Sequence, residues 1–260
     1  LLLAVDIGNT QTVLGLFEEG EIRGRWRLAT EGHRTADELA VVCAGLLGLR
    51  GLGLKDLNAM IVSSVVPGLT RSYQNLAGEI LGIPFYPVTA EMETGLKNRY
   101  EDPSAVGADR IVNAVATGHH YGFPAIIVDI GTATTVEAVD GDGAYLGGAI
   151  LTGLYVSLEA LVSRTAKLPS VDLEEEPSKA IATNTPDSIR SGFVYGYAGA
   201  IDALVRRFRE ELEADGSGPL QVIATGGPAG TIVRHCREIG TLDPDLTLKG
   251  LRVLYEMNAQ

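Results

Sequence analysis

Basic residues are scarce in this chain: 21 Lys and Arg stand against 33 Asp and Glu, for a formal net charge of −12. Nucleic-acid sites need clustered Lys and Arg, so this balance argues against a nucleic-acid partner. Cysteine is scarcer still. Cys43 and Cys236 are too few for a disulfide framework, and both fall in segments that read as helices, so buried free thiols are expected. No cysteine and histidine cluster has metal-ligand spacing, no Walker A lysine motif occurs, and there is no low-complexity tract. The opening apolar run stops at Asp6, far short of a membrane span, and lacks the basic flank and cleavage site of a secretory signal. A cytoplasmic enzyme with no membrane partner is therefore expected, acting on small molecules or other proteins. What the chain does have is 45% hydrophobic and 21% charged residues, the profile of a globular protein, and at 260 residues it can bury a large core in one domain or two.

One pattern is present twice. Leu2-Leu3-Ala4-Val5-Asp6-Ile7-Gly8-Asn9-Thr10-Gln11-Thr12-Val13 and Ile126-Ile127-Val128-Asp129-Ile130-Gly131-Thr132-Ala133-Thr134-Thr135-Val136 both run from apolar residues through Asp-Ile-Gly and small or polar residues to Thr-Val. The aliphatic runs suit buried strands and Asp-Ile-Gly suits a tight turn, so each copy is a candidate β-hairpin. Glycine lets the backbone approach a ligand closely, while hydroxyls, amides and backbone N–H groups offer donors to phosphate oxygens. The aspartate at each strand end can hold a metal ion or a water. A single Asp-x-Gly can do no more than close a hairpin. Two copies with one spacing mark a duplicated unit and predict two similar lobes, a cleft between them, and a phosphate clamp with a carboxylate on either side.

After the first hairpin, Glu21 to Leu28 alternates as a third strand with Trp26 as its large apolar member. Thr35-Ala36-Asp37-Glu38 has the form of a capping box, and Leu39 to Leu49 carries a helical apolar face ended by Gly51 and Gly53. Ala59 to Val66 reads as a strand closed by Pro67-Gly68, followed by a helix from Arg71 to Leu81 and a strand around Phe85 to Val88. Asn98-Arg99-Tyr100-Glu101-Asp102-Pro103 leads into Val106-Gly107-Ala108-Asp109-Arg110 and a helix with Ile111, Val112, Val115 and Ala116 at helical spacing. Asp109 and Arg110 fall in its first turn, where they also have a purely structural reading as a dipole-matching carboxylate and a surface arginine. His119 and His120 follow that helix as boundary residues.

The second half opens with the repeated hairpin and continues through Ala144-Tyr145-Leu146 to Gly147-Gly148 and a helical pattern from Leu154 to Leu168 that Pro169 stops. Glu174-Glu175-Glu176 reads as a solvated loop, and Thr183-Asn184-Thr185-Pro186-Asp187 as a loop and N-cap for a helix to about Leu212. Gly192, Gly196 and Gly199 each cost that helix roughly 1 kcal/mol against alanine. Close packing on another backbone, across a subunit interface, is the expected compensation. A last buried strand, Leu220 to Ala224, ends in Thr225-Gly226-Gly227, a third place where backbone can lie against a phosphorylated ligand. A helix from about Thr247 to Met257 follows Pro244.

Two Asp-x-Gly hairpins followed by strand-Thr-Gly-Gly resemble the phosphate and adenosine elements of the acetate and sugar kinase, heat-shock protein and actin superfamily. Within it the sequence closely resembles the type III pantothenate kinase family. The carriers are Asp6-Ile7-Gly8-Asn9-Thr10, Gly107-Ala108-Asp109-Arg110, Asp129-Ile130-Gly131-Thr132-Ala133, Gly147-Gly148-Ala149-Ile150, Asn184-Thr185 and Thr225-Gly226-Gly227. They span nearly the whole chain in the family's order, and Gly-x-Asp-Arg is the element that separates this family from other kinases of the superfamily.

The resemblance implies an α/β fold of two similar ribonuclease H-like lobes, a duplicated actin-like ATPase fold with an interlobe cleft, divided here into residues 1–118 and 119–260. It implies ATP-dependent phosphorylation of pantothenate at its primary hydroxyl to 4'-phosphopantothenate, the first step of coenzyme A biosynthesis. The enzyme would be a homodimer using Mg²⁺ with ATP and a monovalent cation, potassium or ammonium. By the family pattern, Asp6, Ile7, Gly8, Asn9, Thr10, Gln11, Thr12 and Val13 would hold ATP phosphates, with Thr132, Gly226 and Gly227 also on the nucleotide. Tyr100, Gly107, Ala108, Asp109, Arg110 and Thr185 would bind pantothenate, Asp109 would act as general base, and Asp129 would hold the monovalent cation. Phosphoryl transfer needs in-line positioning, charge neutralisation and a proton acceptor, and an arginine such as Arg110 can pair with the substrate carboxylate. Gln11, Thr152 before Gly153, and Pro228 after Gly226-Gly227 depart from the family pattern, and none of them removes a proposed carboxylate. A kinase of another small hydroxy acid on the same scaffold and a non-catalytic accessory or regulatory protein are the alternatives. Retention of Asp6, Asp109 and Asp129 opposes the second.

Overall fold

The computed structural model of the protein describes residues 1–213 and 219–259. The aliphatic runs pair first with their nearest neighbours. β1 (Leu2–Ile7), β2 (Gln11–Glu18) and β3 (Glu21–Ala29) form an antiparallel meander, and β4 (Ala59–Ser64) and β5 (Phe85–Pro87) add parallel on the β1 side. Parallel neighbours require crossovers, which α1 (Ala36–Gly48) and α2 (Pro67–Asn75) provide. A full capping box starts α1: Glu38 N donates to Thr35 Oγ1, and Thr35 N donates to the Glu38 carboxylate. β4 ends at Ser64 rather than Val66, because Pro67 opens α2 at a first-turn position where its missing N–H costs nothing. A π-helical turn, Leu76–Leu81, extends α2.

β6 (Lys97–Asn98) and α3 (Ala108–His120) come next, so His119 and His120 are the last residues of the helix itself. The second half then repeats the first: β7 (Ala125–Ile130), β8 (Ala133–Val139), β9 (Ala144–Thr152), α4 (Leu154–Ser163), α5 (Thr185–Glu213), β10 (Gln221–Thr225), α6 (Ala229–Val233) and β11 (Thr241–Leu242). The sheet order β9-β8-β7-β10-β11 matches β3-β2-β1-β4-β5 strand for strand, with β6 added on the β9 edge. α7 (Leu246–Asn258) follows. α4 stops short of Leu168, since Thr165 Oγ1 donates to Leu161 O and takes up a terminal carbonyl.

Two compact units result. The first comprises Leu1–Gly95, Glu101–His119 and the segment from Leu246, and the second comprises Leu96–Tyr100 and His120–Asp245. This is finer than one boundary at 118/119, for two local reasons: β6 pairs with β9, and α7 packs on β1 and β4.

In the first sheet Leu3, Val5, Ile7, Leu14, Met60 and Val62 enter a core closed by Leu39, Cys43 and Leu47 of α1 and Leu69 and Tyr73 of α2. Alternation along the strand puts Ala4 and Asp6 on the other face. That face receives α7, and a Cβ on Gly15 would stand 2.9 Å from Leu248. α3 and α7 meet backbone to side: a Cβ on Gly250 would lie 2.3 Å from Val112 O. In the second sheet Ile126, Val128, Ile130, Val136 and Ala224 face the helical core, which leaves Asp129 on the opposite face by the same alternation.

The two copies differ by one residue at the turn. Asp6 pairs across from Val13 and Ser63, whereas Asp129 pairs across from Thr135 and Thr225. The turn Gly131-Thr132 is one residue shorter than Gly8-Asn9-Thr10. The Thr-Val pairs that align in sequence therefore take different rows: Val13 lies opposite Asp6, while Val136 lies opposite Val128. A shift of one residue reverses the face of each side chain, so Asp129 has a threonine neighbour where Asp6 has a valine.

One further expectation is corrected. Both cysteines are free, but Cys236 lies beyond α6 rather than in a helix and is only half-buried, while Cys43 is buried in α1. Glu174 to Glu176 form an exposed loop, as expected, with Glu175 paired to Arg190 and Glu176 to His235. The glycines of α5 face open space within this chain: a Cβ on Gly192, Gly196 or Gly199 meets nothing within 4 Å.

Candidate active site

In the first hairpin Gly8 N donates to Gln11 O at 3.0 Å and closes the turn. Thr30, just past β3, fixes it from the side. Its Oγ1 donates to Gly8 O at 2.8 Å and lies 3.0 Å from Thr12 Oγ1, and its N donates to Thr10 O at 2.9 Å. Asn9, Thr10 and Gln11 are exposed at the tip, and Asp6 is half-buried at the strand end. Beside Asp6, Ser63 is fully buried, and its Oγ is the one buried side-chain polar atom among the described residues without a hydrogen-bond partner. Such an orphan costs about 1–3 kcal/mol. Neither Thr30 nor Ser63 was predicted, although a hydroxyl ending an apolar strand beside an Asp-Ile-Gly strand is a readable signal for Ser63.

Gly107 precedes α3, and Ala108, Asp109 and Arg110 open it, in the same unit. The Asp109 carboxylate folds back over the helix start: Arg110 N donates to Asp109 Oδ1 at 2.9 Å, and a Cβ on residue 107 would lie 2.5 Å from that oxygen. The glycine of Gly-x-Asp-Arg is thus the space the carboxylate occupies. Arg110 is only 8% exposed, which rules out the surface-arginine reading. One turn further, buried Asn113 accepts from Thr247 Oγ1 of α7 at 2.7 Å, and Thr117 Oγ1 donates to Asn113 O at 2.8 Å. Sequence reasoning did not single out this buttress.

In the second unit, Gly131 N donates to Ala133 O at 3.0 Å and Gly153 N to Thr132 O at 3.1 Å. A Cβ on Gly153 would lie 2.2 Å from Thr132 O, and one on Gly226 would lie 2.2 Å from Ile130 O. Gly226 also has φ +101, a region that side chains rarely adopt. Backbone on both sides thus presses on the Asp129-Ile130-Gly131-Thr132 strand end, and glycine is what permits it. Tyr197 Oη lies 2.7 Å from Thr134 Oγ1 and 2.8 Å from Thr152 O, which fastens this hairpin to α5 through the position that departs from the family pattern. Thr132 and Gly227 are exposed; Asp129 is half-buried beside Thr225 and Thr135.

Tyr100 belongs to the second unit as well. Arg99 N donates to Tyr145 O at 2.9 Å, Tyr100 N donates to Asn98 Oδ1 at 3.0 Å, and Arg99 pairs with Asp140 at 3.2 Å. Thr185 has a different setting. It opens α5 beside Asn184, whose Oδ1 accepts from Asp187 N at 2.9 Å, and it lines an apolar groove of about 520 Å³ with Leu161, Ile189, Gly192, Phe193 and Gly196. The structure thus gathers Asp6 to Val13 with Gly107 to Arg110 in one unit. It gathers Tyr100, Asp129, Thr132, Thr185, Gly226 and Gly227 in the other.

A duplicated α/β unit, carrying an Asp-Ile-Gly hairpin at the same strand end in each half and a Thr-Gly-Gly turn beside the second, defines the actin-like ATPase fold class. Solved structures agree at the level of fold. A Baf family protein from Campylobacter jejuni matches with a TM-score of 0.61 at 16% identity, over 98% of this chain and 97% of that one. The activator of 2-hydroxyisocaproyl-CoA dehydratase from Clostridium difficile matches with a TM-score of 0.52 at 14% identity, over 98% and 95%. Sequence carries the assignment further. The family model for type III pantothenate kinase matches residues 2–207. A type III pantothenate kinase of Rubrobacter xylanophilus is 68% identical over 260 residues, covering 100% of this chain and 98% of the relative. The chain belongs to the type III pantothenate kinase family.

Proposed function

We propose that the protein transfers the γ-phosphoryl group of ATP to the primary hydroxyl of pantothenate, giving 4'-phosphopantothenate in the first step of coenzyme A biosynthesis. The structural observation that carries this reading is the Asp109 carboxylate, seated over Gly107 at the start of α3 and held by Arg110 N. In this role Asp109 accepts the hydroxyl proton, a step worth about 10²–10⁴ in rate. Arg110 pairs with the substrate carboxylate, an interaction that burial strengthens. Tyr100 and Thr185 complete the substrate contacts.

The glycine hairpins at Gly8 and Gly131 offer backbone N–H groups and hydroxyls to phosphate oxygens, and Gly226-Gly227 presents flat backbone to the nucleoside. The residues present suit a magnesium nucleotide and a monovalent cation. Carboxylates with neighbouring hydroxyls, Asp6 with Ser63 and Asp129 with Thr135 and Thr225, are the oxygen donors that hard cations prefer. The unpartnered Ser63 Oγ is a group waiting for such a partner. Mg²⁺ held there would neutralise charge on the phosphates. Asp129 is assigned the potassium or ammonium ion.

A homodimer is part of the proposal. The exposed glycine face of α5 and the apolar groove beside it are supported as the surface that a second copy covers, since the helix gains nothing from those glycines within its own chain. No helix among the described residues is long and apolar enough to cross a membrane, and a cytoplasmic location is proposed.

The test is a coupled assay of ADP release with ATP, Mg²⁺ and pantothenate, in potassium and again in sodium alone. Pantothenate-dependent turnover that needs potassium is expected. A folded protein silent in both buffers would overturn the assignment, and equal rates in both would remove the cation role from Asp129.

A further inference from the structure

We propose that Glu137 and Tyr145 form a buried positioning pair that sets the Tyr100 ring against the substrate. Glu137 on β8 is 1% exposed and Tyr145 on β9 is 0% exposed, and the Tyr145 hydroxyl donates to Glu137 Oε2. A carboxylate in such a place is costly compared with an apolar side chain of similar volume, so its presence calls for a reason outside packing. None of the roles assigned above uses it.

The backbone is shaped around this pair. β8 and β9 run in register as far as Ala138 with Gly147, then slip, so that Val139 faces Tyr145 and Leu146 is the extra residue. In an unbroken register Tyr145 would lie across from Asp140, on the face away from Glu137. The bulge re-aims it onto the same face. Gly147, at φ +124, allows the bulge, and a Cβ there would also meet the Tyr100 ring at 3.2 Å. At Gly148 a Cβ would lie 2.1 Å from Val136 O and 2.7 Å from Glu137 Oε2. The Gly-Gly pair thus seats the Tyr100 ring on one residue and leaves room for the Glu137 carboxylate on the next.

Tyr145 is the link. Its ring centroid lies 6.4 Å from that of Tyr100 at 48°, within the range of an aromatic contact. Its carbonyl also accepts from Arg99 N, so ring and backbone both hold the 98–100 segment. The hydroxyl anchored on Glu137 fixes how far the Tyr145 ring can rotate or slide, and Tyr100 rests on that ring.

The first half of the molecule supplies an internal control. It has the same slip, with Leu16 facing Gly24 and Phe17 facing Ile22. The position matching Glu137 there is Gly15, and the one matching Tyr145 is Ile22. The bulge therefore belongs to the duplicated fold, whereas the carboxylate and the tyrosine occur only in the half that holds Tyr100. That distribution fits a ligand-site role and does not fit a requirement of the fold.

The inference rests on the reading that Tyr100 touches pantothenate, so the experiment separates the two. Steady-state kinetics would be measured for Tyr145→Phe, Glu137→Met, the double variant and Tyr100→Ala, with melting temperatures alongside. Tyr145→Phe, which removes the donor, and Glu137→Met, which removes the acceptor, should each raise the KM for pantothenate about fivefold while kcat and the KM for ATP stay within about twofold. The double variant should be no worse than either single one, because the same hydrogen bond is lost in all three. Adding Tyr145→Phe to Tyr100→Ala should change nothing further.

If Tyr100→Ala raises the pantothenate KM but Tyr145→Phe does not, the positioning pair is overturned and the Tyr100 reading stands. If Tyr100→Ala leaves that KM unchanged, the Tyr100 reading fails and the pair's proposed purpose goes with it. A parallel loss of kcat, ATP affinity and melting temperature in Tyr145→Phe would make the pair structural and overturn the proposal. Should Glu137→Met fold poorly, Tyr145→Phe, which removes only an oxygen, still decides.

Discussion

Ser63 stands directly beside Asp6, in register across the parallel strands β1 and β4 and on the sheet face away from the α1 and α2 core. One carries a half-buried carboxylate and the other a buried hydroxyl with no partner. Ser63→Ala removes a desolvated orphan, so the ligand-free protein should keep its stability or gain up to about 1–2 kcal/mol. Affinity for a non-hydrolysable magnesium ATP analogue should fall by about three- to tenfold. Thermal melts with and without the analogue read both effects. A lower melting temperature with an unchanged ligand-induced shift would make Ser63 a structural residue.

Asp109→Asn keeps an Oδ1 acceptor for Arg110 N, so folding and ligand binding should be preserved while kcat falls by about 10²–10⁴. Gly107→Ala approaches the same atom from the other side. Its Cβ would sit 2.5 Å from Asp109 Oδ1 and displace the carboxylate, and a fall in kcat of about tenfold or more is expected from misplacement alone. Normal turnover in Asp109→Asn would remove Asp109 from the base role.

Gly226 and Gly153 should tolerate no side chain. In each case the colliding atom is a backbone oxygen 2.2 Å away in the hairpin that carries Asp129, and backbone in a sheet cannot turn aside as a flexible side chain can. Alanine at either position should cost about 2–4 kcal/mol in denaturant unfolding. Gly45→Ala in α1 is the control. Nothing lies within 4 Å of its Cβ, and a gain of up to about 1 kcal/mol is expected there. Equal effects at the three sites would contradict the packing around Asp129.

Both thiols should resist alkylation in the folded protein. Burial pushes Cys43 up to about 11, and burial together with the nearby Asp202 carboxylate pushes Cys236 up to about 12. The folded pKa values lie above the unfolded one, so above about pH 8.5 the unfolded chain loses thiol protons that the folded chain keeps. Stability from this source is therefore intact at neutral pH and declines as pH rises from about 8.5 towards 11. Thiol titration at pH 8 should be slow in native buffer and give both cysteines quickly in denaturant. Rapid native labelling of Cys43 would place it outside its core.

Much of the architecture was readable because its causes are local. Alternation and aliphatic runs marked β1 to β5, β7, β8 and β10, Thr35 and Glu38 marked the start of α1, and the repeated Asp-Ile-Gly announced the duplication. β6 and β11 were missed because two residues carry no periodicity. α4 was overextended because helical spacing continues past the point where Thr165 caps it.

The candidate site divides in the same way. Asp6, Asp109 and Asp129 could be selected from strand ends and a helix start, and their roles came from likeness to a family. Nothing local showed that Arg110 would be buried or that Ser63 would be left without a partner. Nor did it show that the Thr-Val pairs of the two repeats would take different rows, since letters with equal spacing do not reveal that one turn is a residue shorter. Glu137 offered a faint signal, as a lone carboxylate in an apolar strand.

By itself the sequence determined most of the longer strands, the capped start of α1, and that one plan would be used twice, because dihedral preference and side-chain period act over a few residues. Only the tertiary structure decided register, burial and the closeness of backbones. It set Thr135 rather than Val136 beside Asp129, turned Tyr145 to the face of Glu137, and pressed Gly226 against Ile130. Each of those depends on residues far apart in the chain settling into one packing, and a one-residue difference in pairing changes which side chain meets which.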